Sequence, residues 1–441
     1  MFRKTILATL LLAGTCMISS FTDAHDINDN LKADIAADYD KNLKSLFTHF
    51  HKNPELSFRE TETAKRLASE IEVLGYDVTT GIGQTGVVAV LKNGDGPTVM
   101  LRADMDGLPV KEDSGLPYAS TAKQVGIDNK ENYVMHACGH DVHITSLVGT
   151  ARQMAARKDK WSGTLVLIGQ PAEEIISGAN AMIEDGLFTE FPKPDYAMAF
   201  HVSAQTPTGK IVVSEGLSYS SSDSVDITVH GVGAHGASPH KGVDPVLVAS
   251  QIVVSLQSIV SRSIAPLQPG VITVGSIHGG TKHNIIGDRV DLQLTVRSDD
   301  PAVRTTLLDA IDRVAEGVAI SMGVPKDKLP TVTRLKQSTP PTKNNAKMAR
   351  YLKSVWTESL GDEILLEQSR KGMGAEDFAY FVDPKHDVKG VYFVVGGTAP
   401  EDLSTAASHH SPFFKIQPEP SIKLGTEAMV LGAMAMFNKT P

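Results

Sequence analysis

The chain has 441 residues, 41% of them hydrophobic, and a formal net charge of −9. That length is more than one compact core usually serves, so two domains are expected. The acidic balance argues against a nucleic-acid binder and against a basic membrane-surface protein, and neither a P-loop nor an internal repeat stands out.

Arg3 and Lys4 precede an apolar run over residues 6–18, followed by Ser19-Ser20-Phe21-Thr22-Asp23-Ala24. This is the form of a secretory signal peptide, with cleavage expected after Ala24 and a periplasmic or secreted destination. The run is short for a membrane span, so no membrane association is expected after cleavage. Leu12-Ala13-Gly14-Thr15-Cys16 comes near a lipoprotein signal, but Thr15 sets the cysteine one place too far. Loss of residues 1–24 leaves Cys138 as the one cysteine. No intramolecular disulfide can then form, and a lone thiol in an oxidising compartment calls for burial or a bound metal.

Residues 35–51 and 61–74 carry apolar positions at helical spacing, the second run closed by Gly75. Residues 87–91 and 98–102 read as apolar strands, separated by the turn sequence Asn93-Gly94-Asp95-Gly96-Pro97. The second strand delivers Asp104 and Asp106 at its C-terminal end, where an open α/β sheet places its chemistry; turn capping is the plainer alternative.

His136-Ala137-Cys138-Gly139-His140-Asp141-Val142-His143 packs a thiol, three imidazoles and a carboxylate into eight residues. Cysteine and histidine are ligands that zinc prefers. Cys138 and His140 are two apart and cannot share a helix face, so they converge from a turn or strand end. Small and apolar residues over 144–156 predict a helix, with Asp141 near its N-terminus. An apolar strand over 163–169 then delivers Glu173 and Glu174. Adjacent carboxylates at the end of a buried strand repel, and a bound cation removes that cost. One can bind metal while the other handles protons. A helix over 177–187 and a strand over 196–201 follow, the strand ending on His201 as a third ligand-type group.

The pattern changes near residue 217. A strand over 224–230, a helix over 244–262, strands over 271–277 and 289–297, a helix over 301–322 and a strand over 331–335 make a β-α-β-β-α-β order. The expected division is a catalytic domain over 25–216 and 338–441, interrupted by an inserted domain over 217–337. Residues 345–360 and 422–436 predict helices and residues 390–395 a core strand, with His409-His410-Ser411-Pro412 in a loop.

The combination of HACGHD at 136–141, QPAEE at 170–174, a strand-end histidine and His410-Ser411-Pro412 resembles the aminoacylase and carboxypeptidase-type family of two-metal peptidases and amidohydrolases. The nearest branch holds hippurate hydrolases, N-acyl-amino-acid amidohydrolases and plant auxin-conjugate hydrolases. Matching segments run from Arg102 to Pro412. The resemblance implies an α/β catalytic domain with a central mixed sheet flanked by helices, and a two-layer βαββαβ lid and dimerisation domain. It implies two divalent ions per subunit, held by Cys138, His140, Glu174, His201 and His410, with Glu173 as general base. His410 is chosen over His409 because it directly precedes Ser411-Pro412. In the segment 233–240, His235 is implied to reach the substrate carbonyl, and Asn284 and Arg297 to hold the substrate. Residues 374–378 match a further recurrent segment. Val142 stands where the branch has Gly, and Gly287 where it has Pro; neither removes a ligand.

The implied activity is hydrolysis of the amide bond of a small N-acyl amino acid, hippurate-like or N-acetyl-like, by a homodimer. A thiolate ligand favours zinc, and manganese, cobalt or nickel also suit such sites. Two rivals stand beside this reading. One is a dipeptidase or carboxypeptidase of the same fold, acting on short peptides. The other is an exported solute-binding protein, which has no need of a metal cluster.

Overall fold

The computed structural model describes residues 30–438; the expected signal segment and Cys16 lie outside them. The described residues begin with α1, a helical run over residues 30–52 with a π-turn at Tyr39–Leu43. Helix α2 (Thr61–Glu72) is followed by Gly75 at φ 89°, a left-handed position that glycine adopts freely. Strands β1 (Asp77–Ile82), β2 (Gly86–Asn93) and β3 (Thr98–Asp104) come next. Then come α3 (His140–Ala156), β4 (Gly163–Gln170), α4 (Gly178–Glu184) and β5 (Tyr196–Pro207). The next unit is β6 (Ser221–His230), α5 (Pro245–Arg262), β7 (Gly270–Gly279), β8 (Arg289–Ser298), α6 (Pro301–Ser321) and β9 (Thr331–Thr339). Helix α7 (Ala346–Leu360), strand β10 (Lys389–Thr398) and helix α8 (Pro418–Asn438) complete the order.

The larger sheet runs β1-β2-β4-β3-β5-β10 and ends on the short strand Ile211–Val212. It is mixed: β3 is parallel to both β4 and β5, and β10 is parallel to β5, while β1, β2 and Ile211–Val212 pair antiparallel. Side chains alternate across it. Val87, Leu101, Leu167, Met198 and Phe393 face one core, shared with α1, α3, α7 and α8. Val88, Met100, Val166, Ala199 and Tyr392 face a second core with Met182, Phe378 and Phe381. Burial on both faces explains why these strands read as continuous apolar runs. Helix α3 is buried from His140 to Ala151 on every side, which its sequence shows as a weak polar face.

The smaller sheet is antiparallel in the order β7-β8-β6-β9. Val225, Ile227, Leu292, Leu294 and Val296 pack against Val248, Ile252 and Leu256 of α5 and Leu307 and Ile311 of α6. Asp244 and Asp300 cap the two helices, each ahead of a proline at the first helical position. Helix α5 is long and apolar enough to cross a membrane, yet its Val248–Ile259 stripe is spent on this sheet. The unit's entry and exit lie side by side, with Ser222 registered opposite Thr339.

Several sequence expectations shift. Strand β5 continues to Pro207, six residues past His201, because β10 keeps pairing with it. Helix α4 is shorter than residues 177–187. Elements not expected from the sequence include the edge strand β1, whose exposed positions carry no apolar alternation, a hairpin of Lys123–Val125 with Glu131–Tyr133, and short strands such as Ile211–Val212.

Candidate metal centre and active site

Three features of the sheet make the site. Strand β3 stops at Asp104 and β4 at Gln170, so the turn bearing Glu173 and Glu174 leaves from the same edge. Strand β3 pairs with β5 only over Val99–Arg102 against Tyr196–Ala199. Beyond Ala199 that side of β5 is open, and His201 stands in the opening, within the strand rather than at its end. Helix α3 supplies the third feature. Its N-cap is Gly139 at φ 87°, not Asp141, which sits in the first turn. A Cβ on Gly139 would lie 2.4 Å from Val202 Cγ1, so the residue between Cys138 and His140 has to be glycine.

These elements bring six predicted side chains to one place. Cys138 Sγ lies 3.3 Å from His201 Nε2. His140 Nε2 lies 3.9 Å from Glu173 Oε2 and 3.8 Å from Glu174 Oε1. His410 Nε2 is 3.4 Å from Glu174 Oε2. Among the overlapping donor groups they form are Cys138, His201 and His409; Cys138, Glu174 and His410; and His140, Glu173 and Glu174. All of these residues except His140, which lies buried behind them, line a cavity of about 790 Å³ that also includes Tyr219, Arg297, Lys371, Met373 and Glu376.

Both ring nitrogens of His140 and Oε1 of Glu174 are buried, with no hydrogen-bond partner among the described residues. Buried polar atoms are rarely left so. A thiol, imidazoles and a carboxylate around such orphaned atoms fit a divalent cation. The electrostatics agree. Burial, then Glu376 and Glu174, pushes Glu173 well above the usual carboxylate range. Burial, then Glu174 and Glu173, raises the Cys138 thiol in the same way. Burial pulls His140 down, but Asp104, Asp106 and Glu174 lift it to about 10. A cation among these groups relieves the crowding of acidic charge.

A second set of residues holds the first. Arg102 is wholly buried and donates to Asp104 (2.6 Å), Gln170 (2.8 Å) and Glu376 (2.8 Å). Tyr392 donates to the other oxygen of Glu376 at 2.5 Å. His143 Nε2 accepts from the Val202 amide at 2.8 Å, so its proton sits on Nδ1, which donates to Asp104 at 2.5 Å. This ring thereby steadies the strand beside His201. Asp141 Oδ2 accepts from His51 Nδ1 at 2.7 Å, and the opposite nitrogen of His51 meets Glu112 at 3.1 Å.

The His51 contacts carry a pH prediction. Burial lowers its pKa, but the bonds to Asp141 and Glu112 prevail and raise it from 6.5 to about 9. A raised imidazole contributes stability that is complete below its unfolded value and lost as pH rises through its folded value. Melting temperatures of wild type and His51→Gln should therefore differ most below about pH 6.5, and the gap should close towards pH 9. A gap constant across that window would show that His51 is not charged in the folded protein.

The remaining predicted residues divide. Arg297 lines the cavity, half-buried, and no carboxylate among the described residues ion-pairs with it; Asp223 pairs with Arg304 instead. His235 and Asn284 are not among the cavity's lining residues. Both are exposed on a ribbon formed by Ala234–His235 and Ile285–Ile286 in the smaller unit. There His235 Nδ1 accepts from the Ala237 amide, and the Asn284 carbonyl accepts from Gly236. Conversely, His409, passed over in the sequence, reaches the cluster: its Nδ1 is 3.7 Å from Cys138 Sγ, while its Nε2 accepts from the Ala204 amide. The tandem His409-His410 was the signal, and both rings lie within the donor groups.

Residues 100–434 match the family model described as peptidase family M20/M25/M40. The chain is 39% identical over 340 residues to a hippurate hydrolase of Campylobacter jejuni, covering 76% of this chain and 83% of that protein. It is 35% identical over 418 residues to thermostable carboxypeptidase 2 of Saccharolobus solfataricus, covering 94% and 100%. A crystal structure from Bacillus subtilis, described as a dinuclear metal-binding peptidase of the M20 family, superposes with a TM-score of 0.72 at 27% identity, covering 90% of this chain and 98% of that one.

Proposed function

Because the chain belongs to peptidase family M20/M25/M40, and its relatives include a carboxypeptidase, a hippurate hydrolase and a dinuclear metal-binding peptidase, we propose that it cleaves the amide bond of N-acyl amino acids with Glu173 as general base and two divalent ions. The family membership sets aside the solute-binding reading. The observation that carries the proposal is the convergence of Cys138, His140, Glu174, His201 and His410 on orphaned buried atoms, with Glu173 beside them.

The proposed ligands are those five residues, with His409 adjoining. Bound divalent ions supply Lewis acidity and water of lowered pKa. Glu173 takes the proton from the attacking water and returns it to the leaving nitrogen. The guanidinium of Arg297, on the cavity wall and in no ion pair among the described residues, suits the free carboxylate of the amino acid half. His235 is retained as a donor to the developing oxyanion; its exposed position means that the ribbon carrying it has to approach the cavity, by closure or from a second subunit. The test is a hydrolysis series on metal-loaded protein with N-acetyl and N-benzoyl amino acids and dipeptides. Higher kcat/KM on the acyl amino acids supports the proposal, and higher kcat/KM on dipeptides favours the peptidase reading.

Two further parts of the proposal concern the whole protein. Export rests on residues 1–24, and N-terminal sequencing of the mature protein after Ala24 checks it. A homodimer rests on the smaller sheet. Its strand β7 is an unpaired edge, and Val246, Leu247 and Val254 of α5 and Ile277 of β7 are exposed. Sedimentation at micromolar concentration should return a dimer mass, and Val254→Glu should shift it to the monomer. A monomeric wild type would refute the assembly.

A further inference from the structure

The turn that carries the two glutamates is strained. Ala172 has φ 50° and Ile176 φ 53°, both in the left-handed region, and a β-branched residue seldom enters it. The turn also folds tightly on itself. Ser177 and Gly178 amides donate to the Ala172 carbonyl, Ile176 donates to Glu173, and a Cβ on Gly178 would fall 1.5 Å from the Pro171 oxygen. Backbone of this kind persists only where its surroundings over-determine it.

Three successive amides show what does so. Ala172 N donates to Glu60 Oε1 at 2.8 Å, Glu173 N to Asp106 Oδ1 at 3.1 Å, and Glu174 N to Asp106 Oδ2 at 3.0 Å. Both carboxyl groups come from other parts of the chain, and both residues are buried. Thr85 Oγ1 donates to Glu60 at 2.6 Å, and Ser57 Oγ donates to Asp106 at 2.7 Å, while His140 Nδ1 lies 3.4 Å from Asp106 Oδ1. Glu60 has no cationic partner among the described residues. It precedes α2, yet its side chain does not cap that helix. A buried carboxyl without a counter-ion is costly, and an apolar side chain would fill the same place more cheaply. What Glu60 alone provides is an acceptor for the amide next to Glu173. A row of free amides could bind an anion. This row is already occupied, so it is no oxyanion hole, and its effect is on the side chains that follow it.

We infer that Glu60 is a positioning residue, which fixes the strained turn and with it the carboxyl group of Glu173; the inference rests on the general-base role proposed for Glu173. A reacting group displaced by about 1 Å can lose on the order of 10²-fold in rate. Glu60→Gln keeps an acceptor for Ala172 and gains a donor for Thr85. Glu60→Leu keeps the bulk and removes the acceptor.

The experiment measures kcat, KM and metal content of the metal-loaded enzyme on an N-acyl amino acid. Glu60→Gln should stay near wild type. Glu60→Leu should lose about 10²-fold in kcat, with KM and metal content little changed. Wild-type kcat in Glu60→Leu, or equal loss in the two variants, would overturn the inference. If Glu60→Leu does not fold, Thr85→Val carries the test: a smaller fall in kcat supports the clamp, and an unchanged kcat overturns it. Glu173→Gln belongs in the same series. Its activity would remove the general-base reading and this inference together, whereas an inactive Glu173→Gln beside a fully active Glu60→Leu removes the inference alone.

Discussion

Glu173→Gln should bind metal and substrate nearly as wild type does and lose roughly 10²–10⁴-fold in kcat, the usual contribution of a positioned acid–base group. The substitution keeps size and hydrogen bonding and removes only the ability to carry a proton. The structure separates the two adjacent glutamates. Glu174 faces His410 and His140. Glu173 also belongs to a group with Glu376 and Asp377, and no ion pair joins it to His410 among the described residues. Glu174→Ala should therefore lose metal, and activity with it. Metal analysis and turnover on the same samples decide the matter. Metal loss in the Glu173 variant with retention in the Glu174 variant would exchange the two roles. An active Glu173→Gln protein would end the mechanism.

Cys138→Ser should lose metal content and activity together. Sγ belongs to two of the donor groups, so its replacement disturbs both. In the unliganded protein, burial and the neighbouring glutamates hold the thiol protonated. Ligation requires the thiolate, so metal binding releases a proton and affinity should fall as pH falls. A serine hydroxyl stays neutral in this range and is a far poorer ligand. Elemental analysis after dialysis against a weak chelator, over a range of pH, is the measurement. Normal metal content and full turnover in the serine variant would reduce Cys138 to a small buried side chain.

What could be read from the sequence was chemistry compressed into short motifs. Cys138 and His140, Glu173 and Glu174, and His409 and His410 are neighbours in the chain, and their types alone point to a cation. The βαββαβ order was legible because apolar alternation and Asp-Pro helix starts are local signals. The supporting layer was not. Arg102 meets Glu376 across 274 residues, Glu60 meets Ala172 across 112, and His143 meets Asp104 across 39. No spacing rule connects such partners, since only the folded sheet brings them together. The extent of β5 was hidden for the same reason, because its second half is held by β10. His235 and Asn284 came only from resemblance, and the exposed ribbon that carries them shows how little a motif says about where its domain sits.

The position of β10 has a consequence for how the protein is made. This strand lies between β5 and Ile211–Val212, yet it is synthesised after the whole unit spanning Ser221 to Thr339. As the chain emerges from its N-terminus onward the larger sheet waits with a gap, while the smaller unit has all its strands and both helices in one continuous stretch. The smaller unit is therefore expected to fold first, with the larger one completed when the C-terminal residues emerge. His409 and His410 arrive later still. A chain cut short before Lys389 lacks a sheet strand, helix α8 and both of these imidazoles, so a truncated product has an exposed apolar seam for chaperones and proteases to recognise.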